Sequence, residues 1–340
     1  MSEVGLVPFA RVALEVSREV MPAYSHRFSP QRFTQPQLLA VLCLMRYEDW
    51  TFRAAEIRLA EHGELRRALE LQGVPDYSTL FRFMVRVEEQ VIAQVLTEVV
   101  RRFQRRKPAP GKAKSTVAVD ATGLAPGAIS TFFIRRREEH GAAPLPRRYW
   151  LKWLLAVDTR LRVILAQKAH QGPANDCATL RPLLDEVRRH NSIGTVLADA
   201  EFDTESNHRH IREQIGAESI IPAKRSKASW KLRGVRAQMR AAFPAERYRE
   251  RVHAETVFSA IKRKLSAQAP GRSLATQRKQ ALLLGLAYNI YKLRPLRFGL
   301  PLYAGAFQQC YSTSSPSSRP IGKFCDRLQL LDRRVALSRP

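Results

Sequence analysis

The chain has 340 residues, of which 45% are apolar, and its 57 Lys and Arg against 31 Asp and Glu leave a net charge of +26. This length suffices for one large domain or two ordinary ones. The surplus of positive charge indicates a polyanionic partner, and nucleic acid is favoured over a membrane surface. The absence of a long apolar run argues against a transmembrane span, and the four cysteines without C-x-x-C spacing argue against zinc and disulfides. We therefore expect a cytoplasmic protein with reduced thiols.

Residues 1–105 are predicted to form an all-helical N-terminal domain. Asp49 is positioned to cap a helix that reaches Gly63, and one long helix is predicted from Thr79 to about Gln104. Short helices in a basic protein are compatible with a helix-turn-helix-like DNA reader or dimerisation element, and equally with a helical cap that only packs on its neighbour. Residues 106–114 are predicted to be a basic linker.

An α/β layer with a mixed sheet is predicted to follow. Its first strand ends on Asp120, where Ala121–Gly123 turn the chain, and a later strand ends on Asp199. The predicted strands are 115–120, 149–158, 161–170, 193–198 and 218–223, with helices at 177–190, 204–216 and 273–297. Right-handed crossovers allow the strands that carry the two acids to lie side by side and parallel, so that their carboxyl ends meet. Asp176 and Asp203 are interpreted as helix caps.

The region 224–279 is the most basic, with 16 Lys and Arg against 3 acids. Lys224, Arg225 and Lys227 stand beside Trp230, a combination typical of surfaces that bind phosphates and stack a base. The alternative for Trp230 is a local packing role. Residues 299–340 form a basic tail that contains Ser and Pro.

A helix from Tyr248 to Lys262 places Arg251, Glu255 and Lys262 within roughly 40° of one another, with Tyr248 about 20° further round. One interpretation is a carboxylate flanked by cations at a phosphodiester site. The other is an amphipathic helix in which Glu255 only pairs with Arg251 four residues earlier.

Asp120, Asp199 and Glu255 are the candidate catalytic carboxylates. Clustered carboxylates repel, so such a set needs a cation, and ligands that are all oxygen favour Mg²⁺ where phosphates complete the coordination. Two such ions about 4 Å apart would activate an attacking hydroxyl and stabilise a leaving oxygen. Arg251 and Lys262 would hold the flanking phosphate oxygens.

The spacing Tyr248-x2-Arg251-x3-Glu255-x6-Lys262 resembles the Y-R-E-K signature of DDE transposases from bacterial insertion sequences. Val119–Thr122 and Leu197–Asp203 resemble the two Asp motifs of the same family. The resemblance implies an RNase H-like mixed-sheet catalytic domain over 115–298, preceded by the all-helical N-terminal domain. It implies that Asp120, Asp199 and Glu255 are ligands of two Mg²⁺ ions, for which Mn²⁺ would substitute. It also implies that Tyr248, Arg251 and Lys262 contact the DNA ends.

The resemblance further implies a bacterial, nucleoid-associated enzyme that acts as a homodimer on double-stranded DNA. It would cleave at terminal inverted repeats and transfer the 3′-hydroxyl ends into target DNA. Two features depart from the family pattern: the short stretch between Asp199 and Glu255, and Phe202, where Tyr is common. Two alternatives stay open. One is a non-catalytic DNA-binding regulator derived from a transposase, and the other a metal-dependent nuclease without strand transfer.

Overall fold

The computed structural model describes residues 5–28, 31–106, 114–127, 136, 139–141, 150–224 and 233–297. Its amino-terminal region is helical, as predicted. The helices of this region are α1 (Leu6–Arg18), α2 (Gln35–Glu48), α3 (Phe52–Glu61), α4 (Gly63–Ala68), α5 (Tyr77–Arg86) and α6 (Glu89–Arg106). None of the described helices combines the length and the apolar content needed to cross a membrane.

The cap predicted at Asp49 is wrong. Asp49 ends α2 in a left-handed conformation with φ 54°, and α3 begins instead after Thr51. The Thr51 hydroxyl accepts a hydrogen bond from the backbone N–H of Ala54 at 3.1 Å, which satisfies one of the free donors of the first turn.

The single helix predicted from Thr79 to Gln104 is also wrong, because the chain breaks it into α5 and α6. Val87 ends α5 in an extended conformation with ψ 131°. Buried apolar residues continue at helical spacing on both sides of the break, from Leu80 and Met84 to Val95 and Val99, so periodicity alone could not reveal it.

The sheet has five strands in the order β3-β2-β1-β4-β5. The strands are β1 (Ser115–Leu124), β2 (Trp150–Asp158), β3 (Val163–Gly172), β4 (Ile193–Ala198) and β5 (Glu218–Ile220). β2 pairs antiparallel with β1 and β3, whereas β4 pairs parallel with β1 and β5. This mixed sheet behind a helical region confirms the predicted α/β fold class and the parallel arrangement of the two strands that carry acids.

Strand β1 corrects one detail of the prediction. It does not end at Asp120, and Ala121–Gly123 do not turn the chain. The strand continues to Leu124, paired with β2 as far as Leu151. The pairing with β4 is shorter and stops at Val119, opposite Ala198.

The remaining described helices surround this sheet. They are α7 (Cys177–Arg188), α8 (Glu205–Arg209, continued by a π-helical turn His210–Ile215), α9 (Gly234–Ala241), α10 (Ala245–Tyr248), α11 (Val252–Lys264) and α12 (Leu274–Arg297). Two 3₁₀ turns, Ala200–Phe202 and Arg249–Arg251, precede α8 and α11. The helix predicted from Tyr248 to Lys262 is therefore interrupted at Arg249–Arg251.

The two faces of the sheet carry different helices. On one face, Trp153 of β2 contacts Phe258 of α11, and Gln167 of β3 donates to the Leu282 carbonyl of α12 at 2.8 Å. On the other face, Lys168 of β3 pairs with Glu186 of α7. Because successive strand residues point to opposite faces, α11 and α12 cover one side and α7 the other.

The helical region and the sheet share one hydrophobic core. Helix α12 contacts α2 and α6 as well as β3, and the buried apolar residues of the two regions form one continuous cluster. The described residues between 5 and 297 accordingly belong to one compact unit. The regions predicted at 1–105 and 115–298 therefore pack on each other along α12, and most of 106–114 and all of the tail 299–340 lie outside the described residues.

Candidate active site

The first two candidate acids lie where the parallel pairing of β1 with β4 ends. Val119 of β1 and Ala198 of β4 are the last residues paired between these strands, and Asp120 and Asp199 come directly after them. Asp199 also starts the 3₁₀ turn Ala200–Phe202, because its carboxylate accepts from the backbone N–H of Ala200. The sheet register thus fixes the neighbourhood of both carboxylates.

Arg251 connects the third candidate acid to this pair. Its Nη1 lies 3.4 Å from Oδ1 of Asp120, and its Nη2 donates to Oε1 of Glu255. The guanidinium carbon lies 5.7 Å from the ring centre of Tyr248, whose ring packs edge-on against Phe243. The mostly buried guanidinium of Arg251 therefore links residues of the sheet, α10 and α11.

The pKa values in this cluster reflect the proximity of its charges. Burial raises the pKa of Asp120, and the charges of Glu255 and Asp199 raise it further against the opposing effect of Arg251. Burial also raises the pKa of Tyr248, with a smaller contribution from Asp199. Burial alone would lower the pKa of Arg251, but Tyr248 and the three acids outweigh it and raise that pKa.

Lys262 of α11 faces the same end of the sheet. Its Nζ donates to Oγ1 of Thr122 at 2.6 Å, and Thr122 is the second residue after Asp120 in β1. The contact joins α11 to β1 beside the acids. Sequence reasoning did not identify Thr122, because it was assigned to a turn.

The chemistry of these side chains suits a hard divalent cation. The donors are carboxylate oxygens. Burial raises the pKa of Asp120, and the charges of Glu255 and Asp199 add smaller contributions, so a bound cation would stabilise the ionised carboxylates. Within the described residues, no three His, Cys, Asp or Glu side chains are grouped closely enough to bind one metal ion. Arg251 supplies the positive charge in this arrangement, and Glu255 is half exposed, with 50% of its side-chain surface accessible.

The basic segment after β5 is only partly described. Lys224 donates its backbone N–H to Oδ2 of Asp203 at 2.8 Å. Arg225, Lys227 and Trp230, the other predicted DNA contacts of this segment, lie outside the described residues.

Asp176 occupies the N-cap position of α7, as predicted, but its side chain makes no capping hydrogen bond and its carboxylate pairs with Nζ of Lys152 at 2.6 Å. The cap predicted at Asp203 is wrong. Asp203 accepts from Arg236 and Lys224, while Thr204 caps α8. Both carboxylates are fully buried, so an ionic partner stabilises them more than a helix terminus would.

A cleft adjoins the candidate acids. Its lining includes Asp120, Asp199, Trp150, Lys152 and Asp176. From the sequence, no role was predicted for Trp150 or Lys152. The signal for them was the alternation of β2, which places Trp150 and Lys152 on the same face of the sheet.

Comparison with known proteins identifies the family. The model of the transposase DDE domain matches residues 111–290, more than half of the chain, and the protein belongs to this family. Membership implies an enzyme that cleaves nucleic acid, in a family whose members generally use divalent metal ions and act on DNA.

Among solved structures, a cryo-EM structure of a piggyBac transposase synaptic complex with hairpin DNA is similar, with 8% sequence identity and a TM-score of 0.43. The similarity covers 84% of this chain and 72% of that chain. At this level it carries no functional argument. No match was found among curated proteins.

Proposed function

We propose that the protein is the DNA transposase of a bacterial insertion sequence, which cleaves DNA at the element ends and joins the freed 3′-hydroxyls to target DNA. The observation that carries the proposal is the cluster where the pairing of β1 with β4 ends, in which Arg251 contacts both Asp120 and Glu255 next to Asp199. Membership of the transposase DDE family supports phosphoryl-transfer chemistry at this cluster.

Asp120, Asp199 and Glu255 would hold two Mg²⁺ ions, for which Mn²⁺ would substitute. Bound at this site, the ions would supply Lewis-acid activation of the attacking and leaving oxygens. Arg251 would exchange its carboxylate partners for a non-bridging phosphate oxygen of the DNA, which leaves Glu255 free to serve as a ligand. Lys262, held by Thr122, would contact a second phosphate oxygen, and Tyr248 would donate to the backbone or stack on a base.

The basic surface supports double-stranded DNA as the partner. Region 224–279, with its 16 Lys and Arg against 3 acids, would bind the phosphates of the terminal inverted repeats and the target. Lys224, Arg225, Lys227 and Trp230 stay proposed DNA contacts. Action on chromosomal DNA would place the protein at the nucleoid, and pairing of two element ends would require a homodimer.

The helical region 1–105 is proposed to bind DNA or to dimerise, with 106–114 as the linker to the catalytic region 115–298. Helix α5 supports this role, since Tyr77 and Phe81 are exposed and Arg53 of α3 stacks on the Tyr77 ring at 4.7 Å. Exposed aromatic rings beside arginines are suited to an interface.

The test incubates the protein with Mg²⁺, a target plasmid and labelled DNA from both sides of the gene, chosen by a search of that DNA for short inverted repeats. Joined product supports a transposase, cleavage alone a metal-dependent nuclease, and a mobility shift without either a DNA-binding regulator. Asp199→Asn should reduce both reactions to the level without metal while DNA binding persists. Glu213→Gln, a change at an exposed side chain of the π-helical turn His210–Ile215, should leave them unchanged. Normal cleavage by Asp199→Asn would disprove the assignment of the metal ligands.

A further inference from the structure

Helices α3 and α5 expose an apolar patch. Six large apolar side chains are exposed among the described residues, and four of them, 40–57% exposed, belong to this patch: Ile57, Tyr77, Phe81 and Val85. The three on α5 are spaced four residues apart, so they form one stripe along the helix. Ile57 lies one turn after Arg53 of α3, whose guanidinium covers the Tyr77 ring. We call these four residues the α3–α5 patch.

Contacts with α3 hold the two rings of the patch in place. Phe52 packs edge-on against Phe81, with 5.6 Å between the ring centres. The guanidinium carbon of Arg53 lies 4.7 Å from the ring centre of Tyr77, and Glu56 accepts from the backbone N–H of Tyr77 at 3.1 Å. Because these contacts already restrict the rings, covering the patch costs little conformational entropy.

The charges around the patch fit a protein partner better than DNA. Helices α3 and α5 with the preceding Asp76 carry four arginines against three acids, whereas region 224–279 has 16 Lys and Arg against 3 acids. Arg53 is stacked on a ring of the patch, and Arg82 donates to the carbonyl and hydroxyl oxygens of Ser78. DNA phosphates are bound by an excess of cations, so a nearly neutral, apolar surface is typical of contacts between proteins.

The ends of α5 carry opposite charges, which favours a second, reversed copy of the same helix as the partner. Asp76 precedes α5 and Arg86 ends it, and both are exposed. A two-fold axis through Phe81 would pack α5 antiparallel on its copy. Tyr77 would then lie level with Val85 of the second copy, and Asp76 with Arg86 of the second copy. A parallel arrangement would instead bring the two arginines together.

We propose that two copies of this chain associate through the α3–α5 patch, with Phe81 on the two-fold axis. Phe81 packs on its counterpart, Tyr77 packs on Val85, and Asp76 pairs with Arg86 on each side of the axis. The patch is small beside the roughly 800 Å² that a stable interface buries on each partner, so the dissociation constant of the dimer lies in the micromolar range or above. The inference rests on the proposed function in one respect, since two bound element ends would raise the local concentration of the two copies.

Sedimentation equilibrium of the full chain, without DNA or divalent ions, measures the association from micromolar to submillimolar concentration. Phe81→Ser should raise the dissociation constant of the dimer at least about 10-fold, because the axis removes a central ring from both copies. The matched control is Phe28→Ser, which removes an exposed phenylalanine between α1 and α2 and should leave the dissociation constant unchanged.

A charge exchange tests the antiparallel arrangement. Arg86→Glu would place an acid level with Asp76 of the second copy, twice in each dimer, and should raise the dissociation constant about 3- to 10-fold. Adding Asp76→Asn to this variant should recover part of the loss, since Asn removes the repulsion and still caps α5. Added salt should reduce the difference between Arg86→Glu and the wild type. Circular dichroism melting curves establish that each variant is folded.

Photocrosslinking identifies the partner directly. Chains with Tyr77→p-benzoylphenylalanine are prepared with and without ¹⁵N and mixed, so that mass spectrometry distinguishes crosslinks between copies from those within one chain. Crosslinks between copies at or beside Val85 support the proposal. Crosslinks within one chain to residues 299–340 would identify the tail as the occupant and overturn it.

Two further results would overturn the proposal. One is a wild-type chain that stays monomeric at every concentration. The other is a Phe81→Ser variant that dimerises like the wild type, and a loss of DNA affinity in this variant would identify the patch as a DNA surface.

This outcome is separable from that of the proposed function. If Phe81→Ser weakens the dimer but the wild type neither cleaves nor joins DNA, the interface stands and the transposase proposal fails. If the wild type joins DNA ends while Phe81→Ser and Arg86→Glu leave its association unchanged, the transposase proposal stands and the interface fails.

Discussion

Asp203 connects four segments of the α/β layer, and its neutralisation should destabilise the fold strongly. Its carboxylate accepts from Nε and Nη2 of Arg236 at 3.0 and 2.8 Å and from the backbone N–H of Lys224 at 2.8 Å. Nε2 of His208 lies 3.4 Å away, and the other ring nitrogen of His208 contacts Ser219 of β5 at 2.8 Å. Both ends of the basic segment after β5 are therefore attached to one fully buried carboxylate.

We expect Asp203→Asn to lower the free energy of unfolding by about 3–5 kcal/mol, the usual cost when one partner of a buried ion pair is removed. For a chain of this size, about 2 °C per kcal/mol converts this loss into a fall in melting temperature of roughly 6–10 °C. Glu213→Gln is the matched control. Glu213 is 68% exposed and its ion pair with Arg209 is long, at 3.8 Å, so the change should cost less than about 1 kcal/mol.

The pH dependence of stability gives an independent measurement. Burial alone would raise the pKa of Asp203, but hydrogen bonds from His208, Arg236 and Lys224 outweigh it and hold that pKa well below its usual range. A carboxyl group with a lowered pKa in the folded state contributes stability above its unfolded pKa of about 3.9, and this contribution is lost as the pH falls further.

The difference in unfolding free energy between the wild type and Asp203→Asn should therefore be constant from about pH 5 to about pH 7 and shrink below about pH 4. Urea denaturation at several pH values measures this difference. A variant as stable as the wild type at neutral pH, or a difference that grows as the pH falls, would refute the role of Asp203 as an ionised anchor.

Three further outcomes can be measured. Phe83→Ala should cost about 3–5 kcal/mol in urea denaturation because Phe83 is 2% exposed, whereas Phe81→Ala on the same helix, at 46% exposed, should cost less than about 1 kcal/mol. Equal costs would contradict the orientation of α5. Gly285→Ala should cost about 1–3 kcal/mol and lower the melting temperature, since its Cβ would lie 3.0 Å from Cζ2 of Trp153. An unchanged melting temperature would contradict that packing. The logarithm of the DNA-binding constant should fall linearly with the logarithm of salt concentration, by about 0.9 for each phosphate contacted, because region 224–279 is basic. A flat salt dependence would argue against phosphate contacts.

The strands show how much of the fold local sequence patterns can predict. The strand predicted at Ile193–Ala198 has the same bounds in the structure, and Asp199 follows it as expected. The strand that carries Asp120 was predicted too short, because a β-branched run indicates where a strand begins but not how far its partner extends it. The antiparallel pairing with β2 carries β1 on to Leu124, and this partner is supplied by residues about thirty positions later.

The buried acids show what periodicity and capping rules miss. Asp176 and Asp203 precede helices, as caps do, and capping is a local interaction that sequence makes visible. Their real partners, Lys152 and Arg236, lie 24 and 33 residues away. Only the packing of β2 and α9 brings these cations close enough to stabilise a buried carboxylate.

The sequence alone determined the order of helices and strands, the concentration of positive charge and the fixed spacing of Tyr248, Arg251, Glu255 and Lys262. These features depend on neighbours within a few residues or on composition, which a chain carries in any conformation. The tertiary structure decided that Arg251 contacts both Asp120 and Glu255, that Thr122 holds Lys262, and that Trp150 and Lys152 share a cleft with the candidate acids. Such contacts join residues far apart along the chain, and only the register of the sheet and the packing of α11 against it set their distances.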